Sequence, residues 1–140
     1  MRTNVIVLVV AAIASLMLSA QAQSQSRTVF AGVPSVKVSE SGTERLPETI
    51  RRDNAVNLRC VVSEIDSKYY WATRGNKEMV RHASGAFVTY VAIDGSGYVR
   101  IVDPSAKGAA SLMSPTEAKF DYVEHLLVGL RSVTYYGHAQ

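Results

Sequence analysis

Hydrophobic and polar positions alternate most regularly between residues 58 and 102, where five short runs of β-favouring residues are separated by brief turn signals. That is the pattern of an antiparallel meander. In the first run Leu58, Cys60 and Val62 fall on one face and Arg59, Val61 and Ser63 on the other, because successive strand side chains point in opposite directions. The second run, residues 68–73, sets Tyr69, Trp71 and Thr73 against Tyr70 and Ala72. In the third, residues 78–83, Val80 and His82 oppose Met79 and Arg81. Residues 86–93 are apolar on both faces apart from Thr89, which predicts the middle strand of the sheet. The fifth run, residues 98–102, is stopped by Asp103-Pro104.

Beyond the meander the period changes. Ser114-Pro115-Thr116-Glu117 has the form of a capping box with proline at the first helical position. Behind it Phe120, Val123, Leu127 and Leu130 recur every three or four residues, widened by Leu126 and Val133. This predicts a helix over residues 115–135, with Gly129 tolerated for a close approach to another backbone. The predicted fold class is therefore α+β, a five-stranded antiparallel meander over residues 58–102 packed by one C-terminal helix. Residues 23–57 read as a mobile leader and irregular approach, with a brief strand at 29–33 cut short by Gly32 and Pro34, a possible edge strand at 36–39 and one helical turn at 47–51.

Composition adds an address. Arg2, an apolar run over residues 5–20 and Ala20-Gln21-Ala22 have the form of a secretory signal cleaved near Ala22, which predicts an exported, secreted or periplasmic chain. The run is shorter than the roughly 20 apolar residues of a membrane span, so no stable span is expected after cleavage. The formal charge of +3 includes Arg2, and cleavage lowers it to +2 with acids and bases interspersed. No footprint for nucleic acid is visible in that distribution. Cys60 is the single cysteine, so no internal disulfide can form, and a buried thiol is expected.

Candidate chemistry is sparse. Tyr69 and Trp71 share a strand face, and with Arg81 nearby they form the candidate ligand-binding group, since tyrosine and tryptophan combine area with a polar handle. The competing use of such residues is cross-strand packing. His82, Asp121, Glu124 and His125 are the acid-base candidates; on a helix Asp121 and His125 stand four apart and meet. Neither a third metal ligand nor an oriented nucleophile is placed by the sequence, so no metal, cofactor or catalytic set is assigned. Asp94-Gly95-Ser96-Gly97 opens no helix and reads as a hairpin turn rather than a phosphate cradle. Ala83-Ser84-Gly85-Ala86 resembles the Ser-Gly-Ala loop of bacterial exported lysozyme inhibitors, which are small, periplasmic and β-rich. The match covers those four residues, the cysteine pair often found in that family is absent, and the aromatic and basic residues at 71–75 precede the loop instead of following it. The expectation is an exported, non-catalytic binding or interaction module using an aromatic strand face, with a protein or small molecule as partner. The alternatives are an acid-base hydrolase with its site between helix and sheet, and a structural envelope component.

Overall fold

The computed structural model describes residues 25–48, 58–103, 105, 112–113 and 119–140. The predicted signal, the bulk of the turn at 47–51 and the capping box at 114–117 lie outside them. Over the described residues the chain is a closed eight-stranded antiparallel β-barrel, not a meander packed by a helix. The wall runs through β1 (Arg27–Ser39), β3 (Cys60–Ile65), β4 (Lys68–Trp71), β5 (Lys77–Ser84), β6 (Phe87–Ala92), β7 (Gly97–Val102), β10 (Tyr122–Val128) and β11 (Arg131–Ala139), and β11 pairs back onto β1. The short strand β2 (Gly42–Arg45) hairpins outside the second half of β1. A small separate pair joins β8 (Leu112–Met113) to β9 (Lys119–Phe120).

All five runs of the predicted meander form strands, but as five staves of a barrel. The correction concerns the C-terminal segment. Of the residues placed on a helix, those from Tyr122 onward form a hairpin instead, Val128 opposite Arg131, turned by Gly129 and Leu130. Gly129 adopts a φ of +63°, and a glycine at the first central position is the preference of a two-residue hairpin loop. The three-four spacing of Phe120, Val123, Leu127 and Leu130 misled because the true alternation, Tyr122, Glu124 and Leu126 inward, has a carboxylate at its centre. Val123 and Val128, with Val133 to Tyr136 beyond the turn, are residues that favour strands.

Closure depends on the first strand. β1 is a single strand through Pro34, not two fragments, because irregularities between Thr28 and Phe30 and between Pro34 and Val36 bend it. Its first half pairs with β3 and its second half with β11 and β2. Gly32 and Gly137 let this seam close tightly: a Cβ on Gly137 would lie 2.1 Å from the Val33 carbonyl oxygen, and one on Gly32 would lie 2.6 Å from the Tyr122 ring.

Eight strands leave an interior just wide enough for side chains. It is filled by Phe30, Cys60, Val62, Trp71, Met79, Val88, Tyr90, Ala92, Val99, Ile101 and Tyr122. The outer wall carries Lys68, His82, Thr89 and Arg100 among apolar residues. No helix among the described residues is long and apolar enough to cross a membrane.

Candidate functional site

Register sorts the barrel into two unlike ends. At one end the β4–β5 connection makes a single 3₁₀ turn, Ala72–Arg74, closed by Gly75 in the left-handed region. It presents Arg74 to the interior, where its Nη2 donates to Glu124 Oε2 at 2.9 Å; the Trp71 indole Nε1 donates to Oε1 at 3.0 Å. Glu124 is fully buried and the Arg74 side chain only 15% exposed. Cys60 completes the cluster against the same carboxylate. Burial raises the Glu124 pKa above its ordinary value, outweighing the pull of Arg74 and the Trp71 donor. Desolvation, with the Glu124 charge adding to it, raises the Cys60 thiol well above its usual value, so it stays a protonated hydrophobe. Tyr122 is likewise raised by burial, and its buried hydroxyl has no hydrogen-bond partner among the described residues. This end is plugged by a partnered carboxylate.

The opposite end is open. A recess of about 400 Å³ enters between the start of β1, the facing ends of β5, β6 and β7, and the end of β11. Its walls are Phe30, Val88, Tyr90 and Ile101, and its rim holds Arg81, Asp103 and Asp121. Arg81 lies opposite Tyr90 across the β5–β6 pair, and burial holds the Tyr90 pKa above its usual value against the pull of that guanidinium. Tyr69 meets Tyr90 edge to face at a centroid distance of 5.2 Å. Three carboxylates at this end have donors within the barrel. Arg27 pairs with Glu64, and the Asp121 carboxylate receives His138 Nδ1 at 3.2 Å and the Ala139 amide at 3.1 Å. Asp103 accepts from the amide and hydroxyl of Ser105 at 2.8 and 2.7 Å, bonds that lower its pKa.

The residues singled out from sequence are dispersed by this fold. Trp71 faces the interior with no exposed surface and Tyr69 is half-buried on the same inward face, so the two do not form an outer aromatic patch. Arg81 lies on the rim of the recess. His82 is exposed and directed outward. His125 also lies on the outer wall, stacked on Tyr98 at 5.4 Å and bonded through Nδ1 to Thr134 Oγ1 at 2.8 Å. Asp121 and His125 share an extended backbone, where four residues span about 13 Å instead of one helical turn; Asp121 takes His138 as its partner. Glu124 alone of the acid-base set is interior. Among the described residues no group of three His, Cys, Asp or Glu side chains could hold a metal.

No protein-family model, curated protein or solved structure matches the chain. Sequence reasoning did not find Arg74 as the partner of Glu124, nor the recess walls Phe30, Val88 and Ile101 that register brings together from three strands. The available signal was Glu124 itself, one acid among the apolar inward side chains of its strand, which demands a partner elsewhere in the chain.

Proposed function

We propose that this chain is an exported, non-catalytic binding module that takes a small, largely apolar ligand into the open end of its barrel. The carrying observation is the recess of about 400 Å³, apolar on its walls and polar on its rim. That size and lining are those of small-molecule sites, which barrels place at their mouths. Scattering of His82, His125 and Asp121 over the outer wall and rim, with Glu124 sealed at the other end, favours binding over acid-base catalysis. Titrating the mature chain with an uncharged solvatochromic dye tests the reading. Saturable one-site binding is expected, and Ala139→Trp, which adds bulk at the exposed rim without entering the core, abolishes it in a chain of unchanged thermal stability. Binding that ignores the rim substitution, or no saturable binding, refutes the proposal.

A second reading is favoured by one observation. Ser84 and Gly85, the centre of the four residues that resemble the Ser-Gly-Ala loop of exported lysozyme inhibitors, are exposed in the β5–β6 turn at the open end. A protein partner of the lysozyme type would then dock at this rim. A bacterial-lysis assay with lysozyme, with and without the mature chain and its Ser84→Ala variant, tests it; undiminished lysis removes the reading.

A further inference from the structure

We infer that the open recess selects ligands carrying an anionic head on an apolar body, with Arg81 as the group that holds the anion. The inference rests on the binding reading above and specifies its ligand. Three observations carry it.

The first is the division of the recess. Phe30, Val88 and Ile101 come from three different strands and are all buried, so the inner wall offers contact without hydrogen-bond partners. At interior packing density a 400 Å³ space accommodates about 10–15 non-hydrogen atoms, the size of a medium-chain acyl group or a substituted ring.

The second is the state of the charges around the mouth. Glu64 is matched by Arg27. Asp121 accepts from His138 and the Ala139 amide, and Asp103 accepts from the amide and hydroxyl of Ser105, so both rim carboxylates already have donors on the barrel itself. Arg81 differs. Among the described residues no carboxylate stands within ion-pair distance of it; Asp103 feels its charge from farther off, and its cross-strand neighbour is a neutral phenol, Tyr90.

The third is geometry. A guanidinium has five N–H donors in a planar fork, and one phenol oxygen cannot occupy them. Arg81 is paired across the strands with Tyr90, whose ring also forms the recess wall. The cation thus stands where the apolar wall ends, and the Tyr90 hydroxyl offers a second polar contact on the facing strand. A carboxylate, sulfonate or phosphate monoester entering tail-first brings its oxygens to this pair, and bidentate Arg–oxyanion geometry supplies the orientation.

The test compares three probes of equal chain length, octanoate, 1-octanol and octylamine, against the mature chain and Arg81→Gln, with amide chemical-shift mapping of Tyr90 and Ile101 to report occupancy and calorimetry to report affinity. Octanoate is expected to bind about tenfold more tightly than octanol. Arg81→Gln should remove that preference while leaving octanol binding unchanged, and Arg81→Lys should keep part of it. Equal affinity for octanoate and octanol in both chains overturns the anion assignment and leaves the cavity reading intact. A preference for octylamine also overturns it, because Asp103 and Asp121 would then set the polarity. If none of the probes shifts Tyr90 or Ile101, the cavity reading falls and the anion assignment falls with it.

Discussion

Replacing Arg74 by methionine keeps most of the side-chain volume and removes the charge that faces Glu124. The consequence follows from burial: Glu124 has no exposed surface and Arg74 little, so the carboxylate left behind has no water to replace its partner. Breaking a buried pair from one side costs about 3–5 kcal/mol, against a total of about 5–15 kcal/mol for a domain of this size. At a urea slope of about 1.5 kcal/mol per molar, the midpoint should fall by about 2–3 M. Urea unfolding followed by the fluorescence of Trp71, the single tryptophan, measures this directly. A carboxyl whose folded pKa lies above its unfolded one binds its proton more tightly in the fold, so its contribution is fully present in acid and is lost as pH rises through the folded value. Burial places Glu124 in that class, and removing Arg74 raises it further. The deficit of Arg74→Met should therefore shrink as pH falls through the folded Glu124 pKa. Arg74→Met combined with Glu124→Gln should recover more than half of it at neutral pH. A midpoint within about 0.5 M of the parent at neutral pH, or a deficit that does not respond to acid, would falsify the account of this end of the barrel.

The remaining predictions address the seam, the surface and the thiol. Gly137→Ala puts a methyl group against the Val33 carbonyl and should cost at least about 2 kcal/mol in the same unfolding assay; full stability would mean the seam is looser than described. Asp94 is held well below the usual carboxylate range by Lys77 Nζ at 2.8 Å, with Ser96 adding a further donor. Its stabilising contribution is present above the unfolded pKa and lost as pH falls through the folded one. Carbon-detected titration should find its midpoint displaced downward, with part of the displacement gone in Lys77→Met and the part due to Ser96 retained. Cys60 should resist a thiol-specific chromogenic reagent at pH 8 in the native chain and react at once in denaturant, whereas fast native reaction would place it in an accessible site.

The strands of residues 58–102 were legible because each alternates in a short window and each turn is marked locally, as at Ser84-Gly85 and Gly95-Ser96. Barrel closure was not. It depends on β1 passing through Pro34, a residue that ordinarily ends a strand, and on a bend visible only when β3 and β11 are both in place. The C-terminal hairpin was hidden by Glu124, whose inward position makes sense only once Arg74 and Trp71, some 50 residues earlier, stand beside it. Of the candidate ligand-binding group, Arg81 lies on the recess and Tyr69 supports its wall through Tyr90, while Trp71 belongs to the opposite, plugged end. Local pattern placed these side chains on strands; only register could say which end of a cylinder they reach.

The seam between β1 and β11 also sets an order of events. Gly32 and Ala139 are roughly 100 residues apart in the chain and adjacent in the wall. Until the last strand is available, the row of β1 backbone groups that it covers has no partner, and the wall ends in an open edge on each side. The cylinder therefore cannot close before β11 is free to fold: loss of that one strand exposes two strand edges that the seam otherwise pairs with each other.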